Sequence, residues 1–262
     1  MASRAHLFLA AVVFAAPVTS LDHACATNDD IGSATAITAS VTGVLADETR
    51  TLVTGDPVFR DEALTTSATG VGQFEFHDRT KLAIGPGSTV VLDNFIYQSG
   101  ASGGKIVINL TAGALRFVTG RADHGAYEIV TPTATIGVRG TAFDLYAGKD
   151  GELAVAMLDG AIEVCPKGGV CRLHDAVGEF LHMTASGIFS LRAAWDGTFF
   201  AGVPFALALP FLADEKKLVP SLRGAPTAVA RYARAVGKDV GKMITEPIRK
   251  LPRPRLPKLF EK

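Results

Sequence analysis

The chain has 262 residues, 48% of them hydrophobic, and its 26 Lys/Arg balance 26 Asp/Glu. Zero net charge excludes the molecule-wide positive field that nucleic-acid binding uses, so no nucleic acid is expected as a partner. The length suits one large β domain or two smaller ones, and either can bury a core.

The N-terminus carries the features of an export leader. Arg4 supplies a positive start, Leu7 to Ala16 is unbroken apolar sequence, and Ala24-Cys25-Ala26 is a small-x-small cleavage site. The apolar run is shorter than the ~20 residues that span a bilayer. Residues 1–26 are therefore expected to be a signal peptide cut after Ala26, with a cut after Ser20 as the alternative. A lipoprotein is disfavoured because Asp22 stands three before Cys25, where a leucine belongs. Loss of Cys25 leaves Cys165 and Cys171, separated by P-K-G-G-V. An even pair in an oxidising compartment is expected to form a disulfide. The expected location is the periplasm or the outside of a Gram-negative-type cell.

Thr27 to Ser33 reads as loose and polar, and strands are expected from Thr38. Asp56-Pro57 marks a turn. Phe74 and Phe76 share a face. His77 to Thr80 reads as a hairpin turn into Leu82 and Ile84. Gly85-Pro86-Gly87 breaks the chain before a strand over 89–97, and Ser99 to Gly104 is a loop. Ile106, Ile108 and Leu110 form one strand face, and Ala112-Gly113 is read as a turn into Leu115 and Phe117. Ile136 and Val138 share a face, but Phe143 and Leu145 have the opposite parity. One residue must therefore be absorbed between them, and Gly140 is the expected site of a β-bulge. Asp159-Gly160 after Leu153 to Leu158 reads as a hairpin turn. Ile162 and Val164 lead to the cysteine loop, and two further strands end near Leu191.

About a dozen short strands with little helical periodicity predict an all-β antiparallel sandwich with jelly-roll character. A β-roll or solenoid is the alternative. The β domain is expected over 38–191. Residues 192–262 form a different region, comprising an apolar run (Phe199 to Leu212), an amphipathic helix opened by Pro226, and a Pro-rich basic end. Residues 43–164 hold 15 Asp/Glu against 9 Lys/Arg, whereas 214–262 hold 13 Lys/Arg against 5 Asp/Glu. Arg231, Arg234, Lys238 and Lys242 form a basic stripe, a candidate face for a membrane or partner. The apolar run has three readings: burial against the sandwich, attachment to a membrane surface through 199–250, or a short span.

Five strings from Gly43 to Val164 carry a family resemblance. They are L-V-T-G-D-P-V-F with D-E-A-L-T-T, F-E-F-H-D-R-T-K-L-A-I-G-P-G-S, N-L-T-A-G-A-L-R-F, T-P-T-A-T-I-G-V-R-G-T-A-F (Thr131 to Phe143) and M-L-D-G-A-I-E-V. In this order they resemble the FecR domain family of bacterial periplasmic sensors. The resemblance implies an all-β, non-enzymatic domain with no cofactor. In the best-known members it relays a signal from an outer-membrane transporter to a cytoplasmic sigma factor. Those members place an anti-sigma segment and a transmembrane helix before the domain, and here a leader is expected there instead. Asp56, Thr131, Pro132, Gly137, Arg139, Gly140 and Thr141 are the motif positions, and their expected roles are structural.

No catalytic or metal-binding set is expected. Glu179 and His182 have opposite strand parity, which argues against a site with His174 and Asp175. Asp123-His124 reads as an ordinary loop. Gly100 to Lys105 lacks P-loop spacing, and neither G-x-S-x-G nor S-x-x-K occurs. Arg139 is expected to tie down a carbonyl at the bulge rather than hold a ligand carboxylate. Tyr97, Tyr127, Tyr146 and Trp195 are the aromatic candidates for stacking on a sugar. The expectation is an exported, non-enzymatic binding or sensory module whose partner is an envelope protein or glycan. A membrane-tethered FecR-type regulator and a glycan-binding protein are the alternatives.

Overall fold

The structure is a computed structural model that describes residues 29–95, 105–121, 125–193, 195 and 203–235. The expected leader, Tyr97, the 99–104 loop, Asp123-His124, Lys238 and Lys242 lie outside the described residues.

The fold is all-β. Its first half holds β1 (Asp30–Thr38), β2 (Val41–Leu45), β3 (Glu48–Thr51), β4 (Pro57–Phe59), β5 (Ala63–Thr66), β6 (Val71–Phe76), β7 (Lys81–Ile84) and β8 (Thr89–Phe95). The second holds β9 (Ile106–Val118), β10 (Tyr127–Val130), β11 (Ala134–Ala147), β12 (Leu153–Pro166), β13 (Arg172–His174), β14 (Phe180–Met183) and β15 (Phe189–Arg192). All are hydrogen-bonded into one sheet, antiparallel except where β10 runs parallel to β9. The first strand begins at Asp30, so the segment read as loose is partly sheet. Its small residues hid it, because Gly32 and Ala34 pack directly against β6.

Three long strands build the body. The first half of β9 lies between β8 and β10, and its second half between β7 and β11. The change comes at Gly113, whose φ is +106°. Ile106, Ile108 and Leu110 before it, and Leu115 and Phe117 after it, all enter the same core. Strand β11 does the same about Gly140, with Ile136 and Val138 on one side and Phe143 and Leu145 on the other. The expected irregularity is therefore present, but it is shared with the neighbour. Val138 faces Ile162 and Phe143 faces Met157, so both strands switch face within the same span; the register shifts at Ala142, which faces Asp159, and is restored at Phe143. Gly140 (φ +63°) and Gly160 (φ +74°) take the left-handed conformation at the switch. Ala112-Gly113 and Asp159-Gly160 are thus kinks inside continuous strands, not the turns expected from the dipeptides. A positive φ serves a hairpin turn or a bulge equally well.

The outer face of the sheet is covered by the C-terminal region. Short helices α1 (Phe205–Ala208) and α2 (Pro210–Ala213) lead through 3-10 turns at Glu215–Lys217 and Pro220–Leu222 to α3 (Pro226–Ala235). Pro210 and Pro226 sit in first turns, where no amide donor is needed. Phe205, Leu209 and Tyr232 pack with Ala154, Ala156 and Phe180. Phe211, Leu218 and Leu222 pack with Val71 and Ala83. Burying each large apolar side chain is worth about 1.5–3 kcal/mol, so several together make this segment part of the fold. The described part of the apolar run is therefore spent on the sheet. Among the described residues no helix is long and apolar enough to cross a membrane.

Candidate functional site

Residues Leu115 and Phe117 point into the core, so Arg116 between them points outward from β9. Asp144 does the same between Phe143 and Leu145, and the two are direct cross-strand partners. Neither reaches solvent, with Arg116 at 0% and Asp144 at 1% exposure. Arg116 Nε and Nη2 donate to the two Asp144 oxygens, the second at 2.9 Å. Its Nη1 donates to the Glu215 carboxylate and, at 3.3 Å, to the Leu222 carbonyl. Glu215 also accepts from the Gly224 amide. Burial works against the Arg116 charge, but Asp144 and Glu215 outweigh it and raise the guanidinium above its ordinary pKa. Burial pushes the Asp144 carboxyl upward, opposed by Arg116.

Two more polar pins fasten the same segment. Gln73 Nε2 donates to the Lys217 carbonyl at 2.9 Å, and its Oε1 accepts from the Val219 amide at 2.7 Å. Tyr232 Oη donates to the carbonyls of Met157 (2.9 Å) and Glu179 (3.2 Å), and burial raises its pKa strongly. These geometries hold chain to chain and leave no reacting atom between them. Strand periodicity carries no signal for any of these contacts. Arg116 and Asp144 look like an exposed cross-strand pair until the covering segment is placed.

Several of the motif positions serve turns and kinks. Asp56 Oδ2 accepts from the Val53 amide at 2.8 Å. Thr131 is buried, and its hydroxyl exchanges hydrogen bonds with the amide and carbonyl of Ala134, closing the β10–β11 turn. Pro132 is exposed on that turn, and Gly137 lies between Glu128 and Glu163 on the flanking strands. The Arg139 side chain is exposed and makes no hydrogen bond or ion pair among the described residues, contrary to its expected tie to the bulge. Thr119 does that work instead. Its hydroxyl accepts from the Thr141 amide at 2.7 Å and donates to the Thr141 carbonyl at 2.9 Å.

The remaining candidates are dispersed. His174 is buried opposite Ile162, with Nε2 lacking a hydrogen-bond partner, and burial lowers its pKa. His182 lies on β14, its Nε2 3.4 Å from Glu152 and its Nδ1 3.4 Å from the Ser190 hydroxyl. Tyr127 is a core residue whose hydroxyl donates to Asp78 at 2.8 Å, and Trp195 packs edge-on against Phe180 and Phe205. Buried rings cannot offer a face to a sugar, so these two do not form the stacking platform considered above. Arg231 is exposed and donates to the Val177 carbonyl at 3.1 Å; the Arg234 side chain lies outside the described part.

One end of the body presents short, braced turns. Cys165 and Cys171 form a disulfide. The Lys167 amide donates to Thr133 O, and Thr133 Oγ1 donates to Gly151 O. A shallow cleft of about 330 Å³ lies there, lined by Pro132, Thr133, Pro166, Lys167 and Ser186 among others. Val170, Leu173 and Ile188 are exposed nearby, Val170 at 87%.

Residues 62–163 match the family model described as FecR protein. No curated protein matches the chain. Two crystal structures of a proposed anti-sigma factor from Parabacteroides distasonis are similar, each at 15% identity, with TM-scores of 0.39 and 0.40. The alignment covers 50% of this chain and 58% of that one, so the chain spans little more than half of those structures. The matched stretch runs from the entry of β5 into β12 and takes in Arg116, Asp144 and the Thr131–Thr141 motif, while Glu215 and the covering segment lie beyond it. Over residues 62–163 the β-body of this chain is similar to the FecR family.

Proposed function

We propose that this protein is an exported, non-enzymatic FecR-type module that takes part in signal transduction in a bacterial envelope by binding another envelope component. The match of residues 62–163 to the FecR family carries the reading. The disposition of polar groups supports it. Arg116, Asp144, Gln73, Asp78 and Tyr232 are each engaged in holding the fold. One surface available for binding is the end with the disulfide turn, where Val170, Leu173 and Ile188 are exposed around short loops. A membrane-tethered form draws less support, because Phe205, Leu209 and Phe211 are buried against the sheet.

Cell fractionation with mass analysis of the mature N-terminus tests the export half. The expected product starts at Thr27 and leaves with the periplasmic or secreted fraction. An uncut chain in the cytoplasm contradicts it. Deleting the gene and measuring sigma-factor-dependent transcripts tests the regulatory half. An altered set of such transcripts is expected, and an unchanged profile opposes that reading.

A further inference from the structure

The register of β12 and β13 places Glu163 opposite Leu173 and Val164 opposite Arg172. One step further sets Cys165 across from Cys171, with their Cα atoms 4.0 Å apart. Glu163 and Cys165 are two residues apart on one strand, so they share a face. A carboxylate oxygen of Glu163 and the two sulfurs all lie within 4.8 Å of one another. Cys171 is exposed, while Glu163 and Cys165 are half-buried. Among the described residues this is the one group of three such donors that converges. The intervening turn, Pro166 to Val170, contains Gly168 (φ +74°) and Gly169, and a side chain at Gly168 would meet nothing within 4 Å. The Lys167 amide anchors the base of this turn on Thr133 O, while its tip at Gly168 is open to solvent and free of side-chain contacts.

We propose that the Cys165–Cys171 disulfide masks a binding site for a soft divalent cation of the zinc or cadmium type, with Glu163 as the third ligand. The disulfide has no lone thiolate to offer, so the oxidised protein does not bind. A dithiol reductant opens the site. Its two thiols are oxidised to a disulfide, and the Cys165–Cys171 bond is reduced to two thiols by the same two electrons and two protons. The cation then displaces both thiol protons and is held by two thiolates, the Glu163 carboxylate and a water. Tetrahedral thiolate ligation at ~2.3 Å needs the sulfurs about 3.8 Å apart, a separation that rotation of the side chains and the glycine turn can supply. Two thiolates favour a soft cation over calcium or magnesium. The site is independent of the signalling role proposed above.

The test uses the full mature chain, reduced with a phosphine, freed of reductant under argon and titrated with cadmium. The readout is the ultraviolet sulfur-to-cadmium charge-transfer band. The expected result is a band that saturates at one ion per chain in the reduced protein and is absent from the oxidised protein. Cys171→Ser abolishes it, and Glu163→Gln weakens binding by about tenfold or more. A band that fails to saturate, or an affinity unchanged in Glu163→Gln, overturns the three-ligand site. So does a band in the oxidised protein. Far-ultraviolet circular dichroism of the reduced chain accompanies the titration. Loss of the β signal on reduction also overturns the proposal, since the three donors would no longer be held together.

Discussion

Replacing Arg116 by alanine strips the cation from a buried cluster and leaves the carboxylates of Asp144 and Glu215 behind. Asp144 is 1% exposed, and the Glu215 side chain is 16% exposed. Removing one partner of a buried ion pair costs about 3–5 kcal/mol, because the remaining charge is left without compensation. Arg116 also donates to Leu222 O at 3.3 Å, a long bond from a charged donor worth about 1.5 kcal/mol, which falls within the spread of the larger figure. The chain has one tryptophan, Trp195, packed against Phe180 and Phe205, so its fluorescence reports how the C-terminal region sits on the sheet. Far-ultraviolet circular dichroism reports the sheet itself. In urea the two probes are expected to change together in the parent protein. In Arg116→Ala the fluorescence transition should move to lower urea, with about 3–5 kcal/mol lost. Arg116→Met combined with Asp144→Leu and Glu215→Gln should recover most of that loss, because no charge is left stranded. A loss below about 1 kcal/mol in Arg116→Ala would refute the claim that this cluster fastens the covering segment.

Three further outcomes are expected. Gly160→Val places a Cβ 2.3 Å from the Gly140 carbonyl oxygen at a φ of +74°, so it should cost more than the ~1–3 kcal/mol of backbone strain alone; a melting temperature equal to the parent's contradicts the paired-kink geometry. Tyr232→Phe leaves the Met157 and Glu179 carbonyls without their shared donor and should cost about 1–3 kcal/mol in urea unfolding. Because burial raises the Tyr232 pKa, the folded state keeps its proton where the unfolded state loses it. Stability should therefore fall as pH climbs above ~10, and Tyr232→Phe should flatten that slope; an unchanged slope opposes the assignment. His174 behaves in the opposite sense. Its pKa is lowered by burial, so the unfolded state takes up a proton first and stability should fall as pH drops below ~6.5. Nuclear magnetic resonance titration of the His174 ring should give a value below that of free histidine, and a value at or above it contradicts the burial.

The core was legible in the sequence because its signal is local. Ile136 and Val138 against Phe143 and Leu145 required a face change near Gly140, and the structure has one. The sharing of that change was not legible. Asp159-Gly160 carries the same residue types whether it ends a strand or kinks it, and only its position beside Gly140 decides. The cysteine pair was legible from spacing and forms its disulfide. Arg139 is the evident candidate to satisfy the kink, but Thr119, 22 residues from Thr141, does so instead. Arg116, Asp144 and Glu215 illustrate the limit most clearly. The first two alternate with core residues and read as solvent-facing, and the third lies 99 residues beyond Arg116. Their burial depends on a docking event that no strand periodicity encodes.

We propose above that this chain acts by binding another component of the envelope. Crosslinking of intact cells with a reagent confined to the envelope, followed by isolation of the tagged full chain and identification of what is joined to it, tests this most directly. The predicted result is a discrete crosslinked species that contains a defined envelope protein or glycan and depends on the FecR domain. Recovery of the chain only as an uncrosslinked cytoplasmic protein would contradict the claim.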